Sequence, residues 1–154
     1  MRPIRRLPID ECRNLNTPDR TLSAAQLHDL PMNRPINWFE IPALDLNRAS
    51  AFYENILAVT LNRGEEGPAS LAVFPFDRDH ATGGCLRQGP GMKPSAEGAV
   101  VYLNAGPSLD AALARIAPAG GSIVQPRTEL PPGVGAFAHI LDTEGNKVGL
   151  HAYA

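Results

Sequence analysis

Phe39-Glu40-Ile41-Pro42-Ala43-Leu44-Asp45-Leu46-Asn47-Arg48-Ala49-Ser50-Ala51-Phe52-Tyr53 is the stretch whose reading decides the fold. Residues 37–41 read as a strand, ended by Pro42. Asp45 stands at a helix N-cap position, where a carboxylate accepts free N–H groups of the first turn. Ala49, Phe52, Tyr53 and Ile56 follow at the spacing of one helix face. The stretch is therefore a strand that runs directly into an amphipathic helix.

Further along, residues 58–62, 70–75 and 83–88 read as strands, separated by turn-rich segments at 64–68 and 77–82. Residues 89–97, rich in Gly, Pro and Ser, read as a linker. The pattern then repeats. Residues 99–104 form an apolar strand, and Pro107 and Ser108 open a helix. Leu109, Ala112, Leu113 and Ile116 make its apolar stripe, and Pro118-Ala119-Gly120-Gly121 stops it. Strands follow at 122–125, 135–141 and 147–152. Strand–helix–strand–strand–strand thus occurs twice, in modules 33–89 and 98–152. The fold class is α+β. Each module alone leaves one sheet face bare, so the expectation is a curled mixed sheet, a half-barrel around a cavity, with the helices outside.

Composition sets the outer bounds. A chain of 154 residues suits one domain with a sizeable core. With 44% hydrophobic and 19% charged residues it is globular in composition. A formal net charge of −2 gives no bulk attraction for nucleic acid or an anionic membrane. No apolar run reaches the roughly 20 residues of a membrane span. Cys12 and Cys85 lie far apart and outside any metal-like spacing, which fits a reducing, cytoplasmic setting. Residues 1–32 mix Arg, Asp, Asn and Pro without a strand pattern and read as an N-terminal arm before the domain at 33–152.

The opening stretch, with its Asp-Leu turn and "RAxxFY" helix, resembles the glyoxalase/bleomycin-resistance/dioxygenase (vicinal oxygen chelate) superfamily. So does Leu141-Asp142-Thr143-Glu144-Gly145-Asn146-Lys147-Val148-Gly149-Leu150, which is similar to the family's final hairpin. The resemblance covers residues 33–152 and implies the paired βαβββ fold. It also implies, for catalytic members, one divalent metal held by four strands. The corresponding positions here fall on Trp38, Cys85, Val100 and Gly149. Trp, Val and Gly offer such a metal no ligand. The chain is most similar to a metal-free subgroup with "WFEIP" openings and "EGNxVGLH" endings, so no cofactor and no metal are expected.

Strand alternation gives the expected lining. Trp38 and Glu40 share one face, with Cys85 and Arg87 from the fourth strand. Val100, Tyr102 and Asn104 face inward from the second module, with Lys147, Gly149 and His151 from the last strand. The ligand-binding set is Trp38, Glu40, Cys85, Arg87, Tyr102, Asn104 and His151, and it suits a small organic molecule. Glu40 has two readings: an acid–base partner of His151, or a structural ion pair with Arg87 or Lys147. Cys85 is either a small buried apolar side chain or a nucleophile. His80 belongs to a polar loop, and His139 is expected on the helix-covered or edge face. Gly83-Gly84 and Gly89-Pro90-Gly91 lack the Lys-Ser/Thr and the helix of a phosphate loop. The expected function is small-molecule binding in a metal-free cavity. The alternatives are an enzyme of the lyase, isomerase or dioxygenase type, with a relocated metal or the Glu40/His151 pair, and an interaction module. The expected assembly is a homodimer, because open sheet edges favour pairing.

Overall fold

The computed structural model describes residues 35–153. The arm read at 1–32 lies outside them. From Ile36 onward the chain forms one compact unit.

The first module runs β1 (Trp38–Pro42), α1 (Leu46–Leu57), β2 (Asn62–Glu66), β3 (Ala69–Val73) and β4 (Gly83–Gln88). The second runs β5 (Tyr102–Asn104), α2 (Leu109–Leu113), β6 (Ser122–Glu129), β7 (Ala136–Leu141) and β8 (Lys147–Ala152). Each module folds into a four-stranded mixed sheet, ordered β1-β4-β3-β2 and β5-β8-β7-β6. In each, the first strand pairs in parallel with the last: Glu40 stands beside Cys85, and Asn104 beside His151. The two sheets are separate hydrogen-bonded units, not the single curled sheet expected from the repeat.

Helix α1 forms for the reasons legible in its sequence. The Asp45 carboxylate accepts from the N–H groups of Asn47 and Arg48 at 2.9 and 3.0 Å. Ala49, Phe52, Tyr53 and Ile56 are all buried. Truncating such a fully buried aromatic as Phe52 to alanine costs about 3–5 kcal/mol. Helix α2 is shorter than its stripe: Ser108 caps it, Leu109 and Ala112 are buried, and Ile116 is buried beyond its end.

Three strand boundaries lie more than two residues from the sequence reading. The strand expected at 58–62 lies instead at Asn62–Glu66. Ala58 adopts the left-handed conformation that ends α1, and the Glu54 carboxylate accepts the Leu61 N–H. All five residues of β2 are exposed, so no alternation marks this edge strand. β5 begins at Tyr102, not residue 99. β6 continues through Pro126 to Glu129. It is an edge strand with register shifts between Ile123 and Thr128, and such a strand tolerates proline.

The modules are joined through the hairpin turn before β8. The Asn146 side-chain amide donates to the Pro42 carbonyl and to Asp142, both at 2.8 Å. The Tyr53 hydroxyl donates to Asp142. Glu144, its side chain fully covered, accepts from the Leu44 and Asp45 N–H groups and from the Arg48 guanidinium. Among the described residues, every buried side-chain polar atom has a hydrogen-bond partner.

Candidate functional site

Where the first and last strands of each module pair, an aromatic ring lies over a glycine. Trp38 stands beside Gly83, and Tyr102 beside Gly149. A Cβ on Gly83 would come within 2.6 Å of the Trp38 ring and 2.7 Å of Phe76, and one on Gly149 would clash with the face of the Tyr102 ring. Glycine is required at both positions because the space is filled by the partner's ring.

Trp38 is 42% exposed and meets Phe76 edge-on, with ring centroids 5.8 Å apart. Tyr102 is 50% exposed. Its ring meets Phe137 and His139, and its hydroxyl lies 2.6 Å from His139 Nε2. His139 is therefore on the open face with Tyr102, not on the helix-covered or edge face expected for it. The register explains this: His139 pairs with Gly149, whose face Tyr102 covers.

An open cleft of about 660 Å3 runs along β5. Phe39, Phe74, Phe76, Val59 and Val101 give it apolar walls, and Tyr102 and Asn104 give it polar groups. The Asn104 side-chain oxygen accepts from the Gly106 N–H at 2.9 Å. A smaller cavity of about 200 Å3 lies between the end of β1 and the start of β8, lined in part by Glu40, Lys93 and Lys147.

The other expected site residues are occupied within their own sheets. Arg87 donates to Glu40 at 3.0 Å and to Glu66, so its guanidinium bridges β4 to β1 and β2. Glu40 thus has the ion-pair partner that the structural reading gave it. His151 Nε2 lies 2.8 Å from the Val134 carbonyl oxygen, and its ring meets Tyr153 edge-on. Glu40 and His151 lie in different sheets, and each is engaged elsewhere. Cys85 is fully buried. Burial above all, and then the Glu40 charge, push its thiol up to about 11, so it is protonated at neutral pH. That state suits a packed apolar side chain and not a nucleophile. His80 is exposed and pairs with Asp77 at 2.9 Å.

The residues do not fit the divalent metal implied by the resemblance. Val100 and the ring-covered Gly149 have no donor atoms for it, Trp38 offers only an indole N–H, and the Cys85 thiol is held protonated. Among the described residues no three His, Cys, Asp or Glu side chains converge.

Sequence reasoning missed Phe76 and His139. Phe76 lies in a connection without periodicity. The placement of His139 depends on the β7–β8 register, which no local pattern specifies.

Residues 35–150 match the model of the Glyoxalase/Bleomycin resistance protein/Dioxygenase superfamily. Among solved structures, a glyoxylase/bleomycin resistance protein/dioxygenase domain from Frankia sp. EAN1pec is 20% identical, with a TM-score of 0.59 over 79% of this chain and 98% of that one. The V278E mutant of glyoxalase I from Zea mays is 22% identical, with a TM-score of 0.58 over 75% of this chain. The chain spans only 44% of the maize protein. A glyoxalase-related enzyme from Fulvimarina pelagi is 14% identical, with a TM-score of 0.54 over 77% of this chain and 88% of that one. No curated protein matches. At these identities the likeness is one of fold.

Proposed function

The chain belongs to the glyoxalase/bleomycin resistance protein/dioxygenase superfamily, and on that premise we propose that it binds a small organic molecule in the cleft along β5, without a divalent metal. One observation carries the reading. The cleft is of the size that takes a small organic ligand, and its walls are mainly apolar and aromatic with few polar groups. The superfamily fold hosts unrelated chemistries, so the cleft carries the argument and the relatives' activities do not. The metal-free reading rests on the donor set: of the positions where the resemblance places ligands, Trp38 lays its ring over Gly83, Gly149 lies under the Tyr102 ring, Val100 has no ligating group and the Cys85 thiol is protonated.

The test is titration of the protein with an acetylnaphthalene carrying a methyl ether, followed by calorimetry and by emission of Trp38, the only tryptophan in the chain. Saturable binding that persists after chelator treatment supports the reading. Binding that needs an added divalent metal overturns the metal-free part, and no binding of any fused-ring probe overturns the whole.

We further propose that the protein is a homodimer. Ile123 and Val124 are about half exposed on the edge strand β6, and an open apolar edge is stabilised by pairing. The mass in solution tests this: a monomer at micromolar concentration would overturn it.

A further inference from the structure

Among the described residues, no Asp, Glu, Lys, Arg or His lines the cleft along β5. Its polar side chains are Thr82, Tyr102 and Asn104, and each is already engaged within the protein. The Thr82 hydroxyl donates to the Ile36 carbonyl at 2.9 Å. The Asn104 oxygen accepts from the Gly106 N–H. The Tyr102 hydroxyl is paired with His139 on β7, a residue outside the lining. The aromatic wall is fixed before a ligand arrives, because Phe74 meets Phe39 and the buried Tyr53 at centroid distances of 5.8 and 5.6 Å. Charge is kept to the smaller cavity, which shares Ala99 and Val101 with the cleft. There Lys93 and Lys147 stand with Glu40 and Glu97, two groups of each sign.

We infer that this cleft selects its ligand by charge: it takes an apolar molecule whose entering end is uncharged, such as an ether, ester, ketone or hydrocarbon, and rejects an ionised end of either sign. The inference rests on the ligand-binding reading above and gives that ligand a chemical class. The cause is desolvation. An ion that enters gives up its water and meets apolar walls with no counter-charge. The Asn104 amide is neutral and does not replace one. Because the cleft is open, a ligand with one charged end keeps that end in water and enters by the other. A ligand ionised at both ends has no such orientation. Rejection of both signs separates this cause from long-range repulsion, since a net charge of −2 disfavours anions alone.

The experiment titrates the protein by calorimetry with a naphthalene dicarboxylate, its half-ester, its dimethyl ester and the matching bis(aminomethyl) compound. At about pH 7 carboxylates and alkylamines are ionised, so the series runs from dianion through neutral to dication on one ring body. The native protein binds the diester saturably and the half-ester, which keeps one neutral end, nearly as tightly. The dianion and the dication each bind at least about a hundredfold more weakly than the diester. Salt at about 1 M, which screens charges beyond about 3 Å, leaves that gap open. Ala99 is exposed and lines the cleft, so Ala99→Lys supplies the missing counter-charge. In that variant the dianion gains at least about tenfold and the dication gains nothing. Binding of the dianion or the dication as tightly as the diester by the native protein overturns this inference alone. So does an Ala99→Lys protein that treats the two ions alike. No binding of the diester overturns the cleft reading and this inference together.

Discussion

The Tyr53 hydroxyl donates to the Asp142 carboxylate over 2.8 Å, and the bond is fully buried. It ties the helix of the first module to the last hairpin of the second. Burial, followed by the Asp142 charge, raises the Tyr53 phenol well above its ordinary value, so it stays a donor. Asp142 also accepts from the N–H groups of Glu144 and Asn146 and from the Asn146 side chain. Tyr53→Phe removes one of these bonds and leaves the carboxylate under-satisfied in a dry site. The expected loss is about 1–3 kcal/mol of stability, measured by urea unfolding. A change below about 0.5 kcal/mol would show that this joint contributes little.

Glu144 gives the protein an acid limit. Burial alone would raise its carboxyl, but the Arg48 guanidinium and the Asp45 and Leu44 N–H groups outweigh burial and bring it to about 2. Because the folded-state value is depressed, its contribution is complete above about pH 4.5 and is lost as pH falls toward about 2. Glu144→Gln should be less stable than the native protein at neutral pH. Its stability should also fall less steeply between about pH 4.5 and 2, as read from unfolding at each pH. Equal acid slopes would remove Glu144 from the account.

Gly83→Ala should drive the Trp38 and Phe76 rings apart. Overpacking of this kind costs about 1–3 kcal/mol, and Trp38 emission should shift. Gly64→Ala is the matched control, because a Cβ there meets nothing within 4 Å. An unchanged spectrum in Gly83→Ala would mean that the ring does not rest on the glycine.

Cys85 should resist a thiol reagent in a Cys12→Ser background at about pH 8 and react on unfolding. Its burial and raised thiol pKa both suppress the thiolate. Rapid labelling of the folded protein would restore it as a candidate nucleophile.

How much of this was legible in the sequence follows from which residues are buried on one face only. β4 and β8 were read with the bounds they have, since turns bracket both and Val148, Leu150 and Ala152 alternate into the core. The capping of both helices was legible because Asp45 and Ser108 act within their own turns. β2 carried no signal: Asn62–Glu66 bury neither face. Pro126 hid the second half of β6, because only its edge position and shifted register make proline acceptable there. At the site, Tyr102 and Asn104 came from simple alternation. The bond of Tyr102 to His139 and the place of Phe76 depend on cross-strand register and on a connecting segment, and these are fixed by the whole fold.

The most direct test of the central claim is the affinity of the acetylnaphthalene methyl ether for the native protein and for Ala99→Phe. Ala99 is exposed and lines the cleft, so a phenyl ring there narrows the site without entering the core. The account predicts saturable binding to the native protein and binding at least about tenfold weaker in the variant, a difference of about 1.4 kcal/mol, with an unchanged melting temperature. Equal affinities in the two proteins would contradict it.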